Sequence, residues 1–243
     1  NLHDHLQVRL AFEISNATTL NEKYHSPIQN LYMAAQYALF RSGPLSMAPS
    51  QLGAFFKSDN SLIAPDLEYH VQPLTTTQFG SPLDKQPGIT ASICNLQPTS
   101  RGSLRIASSD PAQMPLIDPN YLASQSDQQI AARSIEITRE IASQQAVTQY
   151  SPKEIRPGAQ LTSNAELIEA AGNIASSIFH PVGTAKMGSD PMAVVDDQLR
   201  VRGIVGLRVV DASVMPNITS GNTNSPVIMI AEKAADMMKA GQG

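Results

Sequence analysis

The chain has 243 residues, 42% of them hydrophobic and 16% charged, which predicts an ordinary globular protein of one large domain or two small ones. A net charge of -4 without any block of lysine and arginine argues against a nucleic-acid partner. No apolar run approaches the ~18 residues that a membrane span needs, and the single cysteine, Cys94, suits a reducing compartment, so we expect a cytoplasmic or membrane-peripheral location.

The first half of the chain shows strand-like segments separated by glycine- and proline-rich turns. Alternating apolar residues predict a strand over 6–14, and Ser26-Pro27-Ile28-Gln29 predicts a capped helix that ends near Arg41. We expect residues 45–60 to form a loop. Further strands are predicted at 67–71, 89–96 and 104–107. Short strands without helices between them favour an antiparallel sheet.

The second half contains three helical patterns. Isoleucines spaced through residues 126–143 predict a helix packed on the sheet. A capping box at Ser163 begins a helix that we expect to continue to Ile178 and to end before His180, because the residue before a proline avoids the α region. The remaining predicted elements are an extended run at 194–195, a strand at 207–210 and a helix at about 226–238.

Several motifs in the C-terminal third carry a family resemblance. They are His180 to Gly188 (His-Pro-Val-Gly-Thr-Ala-Lys-Met-Gly), Val194 to Asp196, Gly206 to Pro216 and Gly221 to Pro226. In this order they resemble the C-terminal half of the glucose-methanol-choline (GMC) oxidoreductases, and the choline-dehydrogenase-like branch in particular. Upstream segments match the same family at Asn1 to Leu6, Gln97 to Leu104 and Ile117 to Leu122.

The resemblance implies an α+β fold: an antiparallel substrate-domain sheet with packed helices, plus the C-terminal strand and helix of an FAD-binding α/β domain whose N-terminal part is missing. Residues 1–24 would form the edge of the FAD-binding domain and a connector. Residues 25–160 would form the substrate-binding domain, with the sheet at roughly 65–110 as the floor beneath the alcohol. Residues 161–243 would carry the catalytic histidine loop and the return to the FAD-binding domain.

The resemblance also assigns the chemistry. Members of the family are FAD-dependent and oxidise small-molecule alcohols to aldehydes or ketones, passing electrons on to oxygen, a quinone or another acceptor. His180 would be the base that takes the alcohol proton while a hydride goes to flavin N5, since imidazole titrates near neutral pH. Asn222 would hydrogen-bond the substrate oxygen. Asn224 competes for this role, and both asparagines are also typical turn residues.

Cofactor contacts are implied at two places. The partial positive charge at the start of the last helix would favour a reduced, anionic flavin. Near Asp211 we expect backbone N–H groups to contact the diphosphate-ribityl region, with the carboxylate bonded elsewhere because it would repel phosphates. The residues that would contact FAD are Asp211, Ala212, Asn222, Thr223, Asn224, Pro226 and Val227.

One family feature is not found. The Gly-x-Gly-x-x-Gly turn that holds the FAD pyrophosphate does not occur, and the chain begins inside a motif without an initiator methionine. We therefore expect a fragment that needs a missing N-terminal FAD-binding segment and is inactive alone. Two alternatives remain open: an FAD-containing lyase on the same scaffold, or a non-catalytic remnant that binds a partner or ligand. No metal site is predicted, and the His3-Asp4-His5 triplet is interpreted as structural.

Overall fold

The computed structural model describes residues 1–78 and 80–241. Its strands are β1 (Leu6–Glu13), β2 (Leu52–Phe56), β3 (Leu67–Gln72), β4 (Gly88–Asn95), β5 (Ser103–Arg105), β6 (Leu116–Asp118), β7 (Lys153–Arg156) and β8 (Ala175–Ser177). Its α-helices are α1 (Leu20–Tyr24), α2 (Pro27–Phe40), α3 (Gln125–Ala142), α4 (Gln145–Thr148), α5 (Asn164–Ile174) and α6 (Asn224–Ala240). Short 3-10 turns lie at Pro44–Ser46 and Ala212–Val214.

The described chain divides into two compact units. The histidine unit consists of Asn1–Leu6, Asn95–Gln128 and the chain from Ser177 onward. The sheet unit consists of Gln7–Cys94 and Gln129–Ser176. The chain therefore passes between the units several times. From the sequence, residues 25–160 were assigned to a substrate domain and residues 1–24 and 161–243 to a cofactor domain. These assignments remain predictions.

The sheet unit is built on a sheet with strand order β2-β3-β4-β1-β7, and β8 also pairs with β1. The β1 pairings with β4 and β7 are antiparallel. Alternate residues of a strand point to opposite faces, so β1 presents its apolar residues to one side. The core of this unit includes Leu10, Leu67, Ile93, Ile135 and Leu167, all almost completely buried. The antiparallel sheet with packed helices confirms the predicted α+β class.

One loop prediction is wrong, and one correctly predicted strand pairs outside the expected sheet. Residues 45–60 are not only a loop, because β2 lies within them and pairs antiparallel with β3. Four of the five β2 residues are exposed, so this strand lacks the alternating burial pattern that sequence reasoning depends on. The strand predicted at 104–107 exists as β5, but it pairs with β6 in a separate two-stranded ladder. The periodicity of apolar residues indicates a strand, but it does not determine which other strand it pairs with.

The predicted helix boundaries agree with the structure to within about two residues, except at the end of α5. Ser26 caps α2 by accepting a hydrogen bond from the backbone N–H of Gln29, and the capping box at Ser163 is present. The prediction that the next helix reaches Ile178 is wrong, since α5 ends at Ile174. The chain then becomes extended at Ala175 and pairs with β1. Tertiary pairing with an existing strand has overridden the local helical pattern.

The histidine unit has its own core beneath α6. Buried residues that pack together there are Val182, Val195, Leu199, Val214, Met215, Ile218, Ile230 and Ala234. The predicted strand at 207–210 is wrong: this segment makes only an isolated bridge, between Arg200 and Arg208. Residues 2 and 3 are held by bridges to Gly102 and Val182, which fixes the N-terminal segment beside the His180 loop.

Candidate active site

The loop that carries His180 is shaped by a turn and two close contacts. Phe179 adopts a left-handed conformation with φ of 65°, and its N–H donates to Ser177 Oγ at 2.8 Å. Gly183 has φ of 84°, and a Cβ atom at this position would lie 2.4 Å from the carbonyl oxygen of Asn1. Glycine is therefore required by both conformation and space. His180 follows the strand β8 and a turn, and it does not lie at the end of a helix as predicted.

Asp4 is the centre of a hydrogen-bond network around this loop. Its side chain is buried, at 7% exposure. Oδ1 accepts from the backbone N–H groups of His5 at 2.9 Å and His180 at 3.0 Å. Oδ2 accepts from the hydroxyls of Tyr121 at 2.5 Å and Ser177 at 2.6 Å. Desolvation, followed by the bond to Asp4, raises the pKa of Tyr121, so its hydroxyl remains a donor. One carboxylate thus holds the backbone of His180 in place.

The ring of His180 contacts a second histidine. Nδ1 of His180 lies 3.1 Å from Nδ1 of His5, and the two rings meet edge to face. His5 is completely buried, and its Nε2 lies 3.2 Å from the carbonyl oxygen of Leu96. A carbonyl can only accept, so Nε2 of His5 must carry a proton. When both rings are neutral, Nδ1 of His5 accepts, Nδ1 of His180 donates, and the lone pair of His180 is on Nε2.

The loop before α6, which contains Asn222, is tied to residues 97–101 and to His3. Arg101 Nη2 donates to Asn217 Oδ1 at 2.9 Å. Ile218 N–H donates to His3 Nδ1 at 3.0 Å. Two residues before Asn222, Ser220 Oγ accepts from Gln97 Nε2 at 3.1 Å. These bonds fix the loop from several sides, and Asn222 itself is exposed.

Hydrogen bonds from one short segment, residues 96–97, support both candidate catalytic residues. Leu96 anchors His5, which contacts His180, while Gln97 anchors the loop of Asn222. The structure therefore brings the supports of the two residues to adjacent positions. Their roles as base and as hydrogen-bond donor stay predictions.

The predicted cofactor residues fall into two groups. Asp211 and Ala212 line a cavity of about 600 Å³ together with residues of the loop 177–184. Asp211 accepts from the N–H and hydroxyl of Ser213, so its carboxylate is engaged locally. The second group lies at the start of α6. In that group Thr223 is buried, Asn222 and Asn224 are exposed, and Pro226 and Val227 are partly buried.

Comparison with known proteins identifies the family. The family model described as GMC oxidoreductase matches residues 98–231, more than half of the chain. This chain belongs to the GMC oxidoreductases. It is 38% identical over 238 residues to an alcohol dehydrogenase [acceptor] of Pseudomonas putida, covering 98% of this chain and 43% of that protein. It is 39% identical over 242 residues to an oxygen-dependent choline dehydrogenase of Escherichia coli, again covering 98% and 43%.

Solved structures agree with the sequence matches. A formate oxidase of Aspergillus oryzae RIB40, from work on FAD modification, superimposes with a TM-score of 0.90 at 26% identity. The superposition covers 99% of this chain and 47% of that one. The GMC chain thus spans less than half the length of the relatives it matches. Within residues 1–78 and 80–241, no helix is long and apolar enough to cross a membrane.

The cavity of the histidine unit fits part of FAD. Its apolar lining includes Leu104, Ile117 and Val182, and its volume lies in the range of ligand pockets. The charged residues that the structure places in this lining are Asp4 and Asp211, both acidic. This composition suits an uncharged ring or a ribityl chain and does not suit a pyrophosphate.

Sequence reasoning missed the surroundings of His180. The His3-Asp4-His5 triplet was interpreted as structural, yet Asp4 and His5 both contact His180. The signal was present: three polar residues directly precede an apolar strand, which is unusual for a segment that becomes buried. No group of three or more metal-ligating side chains is found in the part of the chain that the structure describes.

Proposed function

We propose that this GMC chain forms the catalytic and substrate-facing part of an FAD-dependent alcohol oxidoreductase, with His180 as the base. The observation that carries the proposal is the hydrogen-bond series from Leu96 through His5 to His180. With both rings neutral, this series would keep the proton of His180 on Nδ1 and place on Nε2 the lone pair that a general base needs. Two relatives, an alcohol dehydrogenase and a choline dehydrogenase, support an alcohol as substrate.

In the proposed reaction, Nε2 of His180 accepts the hydroxyl proton of the alcohol. The carboxamide of Asn222 donates to the oxygen as negative charge develops on it. His180 becomes an imidazolium whose Nδ1–H still donates to His5, so the support of the ring does not change during proton transfer. FAD, when bound, supplies the two-electron acceptor that takes the hydride from the substrate carbon.

The residues that would hold FAD are Asp211 and Ala212 in the cavity, and 222–227 at the start of α6. The positive end of the α6 dipole would favour negative charge on the flavin. A pyrophosphate site on an N-terminal FAD-binding segment would complete the cofactor site. Residues 25–160 would then form the substrate domain, the flanking ranges 1–24 and 161–243 would join the cofactor domain, and the chain alone would be inactive.

Anaerobic flavin reduction by primary alcohols and choline tests this proposal in the FAD-loaded enzyme that contains this chain. We expect His180→Ala to slow reduction by ~10²-fold or more, because a general base is lost. His25→Gln is the matched control, since His25 is exposed and its Nε2 donates to the Leu83 carbonyl within its own unit. Near-normal reduction in His180→Ala would refute the assignment. Conversion of substrate without bleaching of the flavin would point to a lyase.

A further inference from the structure

The sheet unit contains a second cavity, of about 310 Å³. This is roughly ten times the ~30 Å³ that one water molecule occupies in the liquid, so there is room for a small organic molecule. The described lining comes from β1, β4, β7, the turn after β3 and the end of α5 with β8. The lining residues used in the argument below are Arg9, Ala11, Thr90, Arg156 and Ser176.

Strand register explains why a cavity forms here. Ala11 of β1 lies opposite Thr90 of β4 on one side and opposite Arg156 of β7 on the other. Residues directly opposite in adjacent strands project from the same face, and Arg9 projects from that face too, two residues earlier on β1. The methyl group of Ala11 fills little of the space between the larger side chains. The small residue therefore leaves a depression between two arginines.

The charged side chains among the described residues that line this depression are all positive. Arg9 and Arg156 are its charged residues among those described, and no described carboxylate belongs to the lining. Arg156 donates to the Thr77 carbonyl at 2.9 Å and lies 3.4 Å from Oδ2 of Asp84, which is outside the lining. Burial, and after it the positive charge of Arg156, lower the pKa of Arg9. The two guanidinium groups thus repel each other in a partly desolvated site.

A hydroxyl donor completes the polar lining. Ser176 Oγ accepts from Gln7 Nε2 at 3.4 Å, so its own proton can be directed to a ligand. Guanidinium groups bind carboxylate and phosphate oxygens through charge-assisted pairs of hydrogen bonds. Arg9 Nη2 also donates to Gln72 Oε1 at 3.4 Å. An oxyanion placed between Arg9 and Arg156 would offset their repulsion and accept further hydrogen bonds from both guanidinium groups.

We propose that this cavity binds a small organic anion through a carboxylate or phosphate group held between Arg9 and Arg156. The site is formed within the sheet unit alone. The proposal does not depend on the redox function proposed for His180. It can be tested on protein that has no bound flavin.

Isothermal titration calorimetry on the purified protein tests the site, with inorganic phosphate and lactate as separate probes against chloride of equal ionic strength. We expect saturable binding of at least one probe, and no binding of glycerol, a neutral molecule of similar size. Arg9→Gln and Arg156→Gln should each weaken that binding by about tenfold or more, because each removes a charge-assisted pair. Phosphate binding alone would identify a phosphate site, and lactate binding alone a carboxylate site.

The matched control is Arg133→Gln, which removes an arginine of the same unit that is ion-paired on the surface of α3. It should change affinity by less than about twofold, since Arg133 lies outside the lining and an exposed charge is screened by salt. Ala11→Val keeps both arginines but narrows the cavity, so it should also weaken binding and guards against misfolding of the arginine variants. Equal affinity in Arg9→Gln, equal losses in Arg133→Gln, or no saturable binding of either anion would each overturn the proposal.

Discussion

Replacing His5 tests whether a buried histidine positions the proposed base. His5→Leu is close to histidine in volume but removes both ring nitrogens, so Nδ1 of His180 loses the acceptor 3.1 Å away. A neutral hydrogen bond contributes ~0.5–1.5 kcal/mol, which corresponds to about 2–10-fold in rate. Freedom of the His180 ring to exchange its tautomer or rotate adds to this loss. We expect flavin reduction to slow by roughly tenfold, less than in His180→Ala.

The conservative variant separates positioning from structure. His5→Asn places an amide oxygen near the position of Nδ1, so it can still accept from His180, but it is too short to reach the Leu96 carbonyl. Both variants leave that buried carbonyl without its donor, and both should lose ~1–3 kcal/mol of unfolding free energy. Only His5→Leu should also slow flavin reduction.

Stopped-flow reduction under anaerobic conditions gives the limiting rate constant and the apparent substrate affinity separately. A positioning residue changes the rate constant, because the substrate does not contact His5 in the proposed arrangement. Thermal denaturation of the same samples measures the stability loss. If His5→Leu reduces the flavin as fast as the unmodified protein, or if the two variants slow reduction equally, the proposed hydrogen-bond series does not support catalysis.

Two further predictions concern stability. Asp4→Asn should lower the free energy of unfolding by ~2–3 kcal/mol, because a buried carboxylate that accepts four hydrogen bonds is replaced by an amide with two donors. Urea denaturation measures this loss, and Asp190→Asn, at an exposed pair with Lys186, should show little change. Burial, and to a lesser degree Arg101, lower the pKa of His3 below 6.5, so the unfolded chain binds this proton first as the pH falls. Stability should therefore decrease below pH 6.5, by up to ~1.4 kcal/mol per pH unit, and His3→Gln should flatten that slope; an unchanged slope would contradict a neutral, buried His3.

Local features of the sequence determined the parts of the fold that depend on neighbouring residues. The strands β1 and β4 were predicted from apolar residues that alternate with a period of two. The start of α5 was predicted from the three-residue spacing of the capping box at Ser163. The family was also accessible, because its motifs are contiguous runs around His180 and Asn222. What was missed locally, such as the edge strand β2, had no buried face to impose a pattern.

Only the tertiary structure decided which residues surround His180 and where the arginine cavity forms. His5 and Asp4 reach His180 across more than 170 residues of sequence, and Arg9 meets Arg156 only through the register of β1 with β7. Such contacts are set by which strands pair and in what register. The pairing and register depend on the packing of the whole sheet, because shifting a strand by one residue moves every side chain to the opposite face.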